Sequence, residues 1–548
     1  MRNMKKMLLG MSLALLAACG QHTRTEEIDG ASMAQVAVFT SADKNLEKTY
    51  NWAKAMAWLY AHEGDDPVGY WYEASLPMRE AFCMRDVSHQ SVGGQILGMT
   101  PHNKNMFFRF AENISESKDW CSYWEINRHN KPAPADYEND SSFWYNLNAN
   151  FDVMQACLKM YEWTGDAEYL ENEDFVNFYD RSVSDYVERW DLQPEKAFQR
   201  ARHMNTAENF DANKSFHRCR GLASYAENFP GIVMSIDLLS TLYAGFNAYA
   251  YMAEMKGDID KAEEARTKAG QYKQIVEERF WDASQNRYNT FWTDEGAFKR
   301  GEGAPFVLWF DVTDNTERIR ALVKDILSQK WNVENLSAFP MFLYKYGYLD
   351  EAYRHLIALP KMNRSEYPEV SFGMVEGIVC GAMGLQPSFS KKQIATCSRL
   401  QGAARQSSIK NVPVFGGYVS VSHTDKSTTI ENNTDVDLTW VVSFMGEHSE
   451  IIVDGKKMTT STELDANGNA FNWKDLVPST DIDRPVVLTN GNNVVLWHGF
   501  MQSQNFSGVL YGNPQEREFP VQCPLTVLSA NDISANEREM KNFGYVIA

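Results

Sequence analysis

The sequence predicts an all-α barrel of six helical hairpins, (α/α)6, followed by a C-terminal antiparallel β-sandwich. Three observations carry this. Amphipathic helical patterns succeed one another to about residue 385. Gly-Asp breaks join neighbouring patterns, as at Gly165-Asp166 and Gly257-Asp258. Beyond Leu385-Gln386-Pro387 the texture changes to short stretches of alternating apolar and polar residues.

The first segment stands outside the fold. Arg2, Lys5 and Lys6 form a basic start, and an apolar run from Met7 to Leu16 precedes Leu16-Ala17-Ala18-Cys19. That run is well short of the roughly 20 residues a bilayer requires, and small residues lead directly to a cysteine. Residues 1–19 therefore read as a bacterial lipoprotein signal with Cys19 lipidated. The expectation is a chain anchored by lipid in the cell envelope, facing the periplasm or lying on the outer-membrane surface. Residues 20–43 read as a linker.

Helices are expected over 45–62, 86–99, 102–117, 141–164, 167–189, 231–256, 258–280, 303–310, 314–329, 335–346, 349–359 and 371–384. Ile236, Leu239, Leu242, Tyr243, Phe246 and Tyr249 recur at helical steps of three and four. Gly257 ends that run and Asp258 opens the next, a C-cap followed by an N-cap. A solenoid of such hairpins would repeat at a fixed period, and no period is found. Long, uneven connections at 63–85, 118–140, 190–230, 281–302 and 360–370 favour a closed barrel of residues 44–386 with loops at its mouth. Such loops on a rigid scaffold are where active sites are built. Residues 387–410 read as a second linker and 411–548 as the sandwich, with Asp454-Gly455 as a hairpin turn between 450 and 457.

Composition narrows the function. The 548 residues carry a net charge of −19 with no basic run, which argues against nucleic acid and anionic lipid surfaces as partners. Of the eight cysteines, Cys19 is assigned to lipid, and the odd remainder with no CxxC suits neither a disulfide framework nor zinc. No metal is expected. Aromatic residues make up 13% of the chain. Rings stack on the apolar faces of sugars, and Trp71 and Trp144 are candidates for that role, although large helical cores also consume aromatics.

Candidate polar residues fall in three loop clusters. The first runs from Tyr70-Trp71 to Arg85-Asp86 and His89. Its Arg–Asp pair could grip vicinal hydroxyls, or Asp86 could simply favour a helix N-terminus. The second holds His217-Arg218 and then Ala226-Glu227-Asn228-Phe229-Pro230-Gly231. The third is Arg364-Ser365-Glu366-Tyr367-Pro368-Glu369. Two carboxylate-bearing loops at one barrel mouth suit glycoside hydrolysis, one group protonating the leaving oxygen while the other activates water or attacks the anomeric carbon.

The order of an early Arg-Asp, a carboxylate before a long central helix and a Glu before the last helix resembles the six-hairpin glycosidases, among them glucoamylase, trehalase and the processing α-glucosidase I group. Glu227-Asn228-Phe229-Pro230 and the helix after it are similar to the segment of the processing glucosidases in which an Asp-Asn-Ser-Pro loop carries the general acid. The resemblance implies Glu227 as acid, Glu366 or Glu369 as base, Arg85 and Asp86 holding a terminal sugar with His89 and Asn228 nearby, inversion at the anomeric carbon and no cofactor. Glu replaces Asp at 227, Phe replaces Ser at 229, and Met84 stands where glucoamylase has a tryptophan. A polysaccharide lyase stays open through His217 and Arg218, as do a sugar epimerase or isomerase and a glycan-binding lipoprotein without an acid/base pair.

Overall fold

The computed structural model describes residues 35–75, 79–200, 220–226, 229, 231–425, 427–443, 450–453, 456–459, 493–497, 525–529 and 546–547. The helical patterns form α1 (Lys44–Leu59), α2 (Met84–Ile96), α3 (Thr100–Glu112), α4 (Ala149–Thr164), α5 (Glu173–Val183) and α6 (Ile236–Met255). They continue as α7 (Ile259–Ile275), α8 (Pro305–Trp309), α9 (Thr316–Leu327), α10 (Val333–Lys345), α11 (Leu349–Ala358) and α12 (Pro368–Glu376).

Even-numbered helices pack on one another. α2 lies between α12 and α4, α6 touches α4 and α8, and α10 touches α12. Odd-numbered helices cover them from outside, α1 on α12, α3 on α2, α7 on α6 and α11 on α10. Burial follows this division. Nearly every residue of α2 and α12 is buried, whereas α9 and α11 bury one stripe each, as a helix with one solvent face must. Glycine allows the closest approaches. A Cβ on Gly93 of α2 would fall 2.4 Å from the carbonyl oxygen of Phe372 in α12, and one on Gly373 would fall 2.6 Å from that of Ser337 in α10.

Three helical expectations need correction. Residues 141–148 are not helical: Ser142–Phe143 and Tyr145–Asn146 are short strands, the second pairing in parallel with Arg220–Leu222. The span 167–189 breaks at Asn172, whose side chain accepts from the backbone N–H groups of Asp174 and Phe175 and restarts the helix. Residues Ile232–Ser235 form a strand paired with Phe291–Thr293, and the Ser235 hydroxyl caps α6 by accepting from Leu238 N at 3.0 Å.

Two sheets lie outside the helical array. One runs in the order Val38–Ser41, Ser407–Val414, Gly417–His423, Thr428–Asn433, all antiparallel. Parts of both stretches read as linkers, 20–43 and 387–410, are thus strands. The other sheet contains Gln386–Ser388, Gln393–Cys397, Thr439–Ser443, Leu525–Ser529, Asn493–Trp497 and Val546–Ile547. Its second and third strands pair in parallel, against the all-antiparallel expectation, because Gln393–Cys397 and Thr439–Ser443 are separated in the chain by three strands of the first sheet. The expected hairpin pairs Val453 with Lys456.

Candidate active site

A cavity of about 480 Å³ opens where the first turns of the even-numbered helices converge. Most of those turns carry an acid: Asp86 in α2, Asp152 in α4, Asp237 in α6, Glu334 in α10 and Glu369 in α12. Helix N-termini present unpaired N–H groups and partial positive charge, which favour anions there. All five long connections reach the wall, through Arg79, Glu125, Tyr225, Phe291 and Tyr367 among others. The floor is aromatic as well as acidic, with Trp124, Trp144, Phe306 and Trp309 in the lining.

One group of charges joins α2 and α12. Arg85 donates from Nε and Nη2 to Asp86 Oδ1 at 2.9 and 2.7 Å, and its Nε lies 3.9 Å from Glu369 Oε1. Tyr367 donates to the other Asp86 oxygen at 3.2 Å. Burial pushes the Asp86 carboxyl up to about 8 against the pull of Arg85, and Glu369 adds to the rise. Burial acts the same way on Glu369 but is outweighed by Arg85, His89 and the neighbouring Asp86, which keep it below its usual range. Two carboxyls this close do not both ionise, so the pair holds one proton through neutral pH.

A second group lies on the strand Glu125–Asn127, which pairs with Ala81–Cys83. Arg79 Nη2 sits 2.9 Å from Glu125 Oε2 and 2.8 Å from Asp136 Oδ2. Burial and the Asp136 carboxylate raise Glu125 well above its ordinary range despite Arg79. Glu334, on α10, pairs with Arg364 at 2.7 Å, and Arg364 takes a left-handed backbone with φ 64°. Asp237 has a holding role: it accepts from Tyr225 N at 2.7 Å, from the Ser224 hydroxyl and from Asn148, and so fixes the loop that bears Tyr225.

The structure brings Arg85, Asp86, His89, Trp144 and Glu369 together in this wall. It does not bring Glu366 or Trp71. Glu366 is exposed on the outer side of the α12 loop, where its carbonyl accepts from the Tyr60 hydroxyl. Trp71 is fully buried in the core, its indole N–H donating to Asp66 at 2.8 Å and its ring stacked on His62. Cys19, His217, Arg218, Glu227 and Asn228 lie outside the described residues, although Ala226 and Phe229 line the cavity. Glu125, Asp152 and Glu334 were not singled out by sequence, because lone acids on a short strand or along a helix are also produced by ordinary capping and surface pairing. Among the described residues no group of three or more His, Cys, Asp or Glu is arranged to hold a metal ion, and no helix is long and apolar enough to cross a membrane.

No protein-family model and no curated protein matches the chain. Solved structures do. The GH78 family rhamnosidase of Bacillus sp. GL1 superposes with TM-score 0.54 at 12% identity, over 83% of this chain and 44% of that one. The α-L-rhamnosidase from Dictyoglumus thermophilum superposes with TM-score 0.50 at 11% identity, over 90% of this chain and 49% of that one. The chain therefore shares the fold of these glycosidase barrels and spans about half the length of each of these two.

Proposed function

We propose that the chain is a glycoside hydrolase built on a closed (α/α)6 toroid with a β-sandwich behind it, removing a terminal neutral sugar from an oligo- or polysaccharide. The observation that carries this reading is the cavity itself, where a carboxylate held below its usual range and carboxyls raised above theirs lie among aromatic rings. Hydrolysis of an acetal needs that mixture: an anion to activate water and an acid to protonate the leaving oxygen. Glu369 is the base in this reading. Glu227, set in the chain between the cavity residues Ala226 and Phe229, is the acid. Arg85 and Asp86 hold the terminal sugar, Asn228 assists them, and Trp144 offers an apolar face.

Lyase chemistry fits less well. It requires a free cation to neutralise a uronate, and the arginines in the described wall, Arg79, Arg85 and Arg364, are each already paired with carboxylates. The cell-envelope anchor at Cys19 belongs to the same proposal. The test is incubation of the full chain with a panel of neutral and uronate-containing glycans, with products read by mass and by ultraviolet absorbance. A monosaccharide carrying one added water supports hydrolysis, and Glu369→Gln should then lower kcat by about 10²–10⁴. A product with a new absorbing double bond would overturn the reading in favour of a lyase.

A further inference from the structure

His89 was a candidate for touching sugar, but both of its ring nitrogens lie within ion-pair distance of protein carboxylates. Nδ1 lies 3.5 Å from Glu369 Oε1 and Nε2 lies 3.5 Å from Asp152 Oδ2. These are ion-pair distances, longer than a tight hydrogen bond. The imidazole faces are enclosed by rings, with Trp309 at 4.5 Å, Phe306 at 5.8 Å and Tyr225 edge-on at 6.2 Å. Only 11% of the side chain is exposed. Asp152 in turn accepts a hydrogen bond from the Tyr225 hydroxyl, and the Arg85 guanidinium lies over the Tyr225 ring at 5.6 Å. The chain of contacts runs Tyr225, Asp152, His89, Glu369, Arg85 and back to Tyr225.

We infer that Asp152 and His89 are positioning residues: Asp152 holds His89 as an imidazolium, and that cation clamps the Glu369 carboxylate at the cavity wall. The inference deepens the reading of Glu369 as base and rests on it for its catalytic meaning, while the clamp itself is a statement about charge and geometry. A neutral imidazole carries one N–H and one lone pair, so it would present a lone pair to one of its two carboxylates. A protonated ring donates to both. Burial pulls His89 down, but Asp152 and Glu369 outweigh it and raise it to about 9. The other ionisable groups around the ring are Arg85 and Asp86 on its own helix, Tyr225, and Glu376 towards the far end of α12. Arg85 opposes the charge on His89, and the Asp152 and Glu369 carboxylates favour it. A base oriented by a second group that is itself oriented by a third is the arrangement that holds catalytic groups in place in other enzymes.

The experiment is a long-range ¹⁵N–¹H correlation spectrum of the full chain labelled at histidine, with the His89 signals assigned by their loss in His89→Gln. Both ring nitrogens should carry protons at pH 7.5. Asp152→Asn should lower the His89 midpoint by at least a factor of ten in proton affinity. Tyr225→Phe frees Asp152 from its hydroxyl partner and should hold or raise that midpoint, which keeps the test alive if Asp152→Asn does not fold. A neutral His89 at pH 7.5, or a midpoint that ignores Asp152→Asn or falls in Tyr225→Phe, would overturn the clamp. A protein inactive on every glycan with these spectra intact would sink the hydrolase reading and leave the clamp standing. In an active protein, Asp152→Asn should lower kcat with little change in KM and move the acid limb of the pH profile upward, and Asp152→Glu should restore part of both.

Discussion

Glu369→Gln separates the chemistry of the site from its stability, because the proton shared by Asp86 and Glu369 has a place to go. In the native protein the pair keeps one proton, with Asp86 raised from 3.8 to about 8 and Glu369 lowered. In the unfolded chain both carboxyls are ionised above about pH 5. Between pH 5 and pH 8 the native state therefore binds one proton more than the unfolded state, and stability falls as pH rises. At about 1.4 kcal/mol per unit, this site alone removes on the order of 4 kcal/mol across those three units. In the Gln variant the anion beside Asp86 is gone, while its two hydrogen bonds from Arg85 remain. Asp86 then loses the neighbouring carboxylate that raises it and keeps Arg85, so its carboxyl should ionise at lower pH than in the native protein. Urea unfolding followed by tryptophan fluorescence at pH 5, 6, 7 and 8 reads the difference. The wild-type curve should fall more steeply than that of the variant, with the two closest at pH 8. The proton on His89 contributes a further fall between about 6.5 and 9 in the native protein and a smaller one in the variant, which lacks one of the two carboxylates that raise it. Parallel pH profiles would refute the shared proton.

Gly373→Ala should destabilise the protein by about 1–3 kcal/mol, since the new methyl group meets a backbone carbonyl that cannot move alone. Gly270→Ala, in α7 with nothing within 4 Å of the new atom, should be neutral or stabilise by about 0.5–1 kcal/mol in the same denaturation assay. Glu125→Gln should change stability at pH 7 by less than about 1 kcal/mol, because burial and Asp136 favour the protonated form of Glu125 and Gln preserves its shape; a loss of several kcal/mol would count against that reading. Cys19→Ser should move the protein from the membrane to the soluble fraction and abolish incorporation of labelled palmitate, and continued membrane recovery would count against the anchor.

The helical part of the fold was legible because its signals are local. Leu239, Leu242, Phe246 and their neighbours announce α6 by spacing, and Gly257-Asp258 marks its end. What failed were segments whose conformation depends on a distant partner. Tyr145-Asn146 has the composition of a helix start but is extended because Arg220–Leu222 pairs with it, 75 residues away at Arg220. Val38–Ser41 looked like linker because its partner strand begins at Ser407. The site divides in the same way. Arg85, Asp86 and His89 share one helix and could be grouped from sequence, and Glu369 sat in a loop with a carboxylate pattern. Spacing could not separate Glu366 from Glu369. Packing does, since Pro368 starts α12 and turns Glu369 inward in its first turn while Glu366 stays on the exposed side. Asp152 gave no signal at all, because an acid in a first turn is the commonest of capping choices.

That ordinary choice is what makes the cavity. Inner helices whose first turns converge on one cavity gather their N-terminal partial charges there, and a helix gains by placing an acid in its first turn. Four such acids, Asp86, Asp237, Glu334 and Glu369, line this cavity and Asp152 lies against His89, each adopted for a local reason, and together they would repel. The structure answers the repulsion in three ways: Arg85 and Arg364 neutralise Asp86 and Glu334, Asp237 is saturated by N–H and hydroxyl donors, and Asp86 shares a proton with Glu369. Asp152 and Glu369 are then left facing the same imidazole, and a cation on His89 is the remaining way to satisfy both. The protonation pattern follows from the helix geometry. Any substitution that removes one acid should therefore redistribute protons among the others before it loosens the fold.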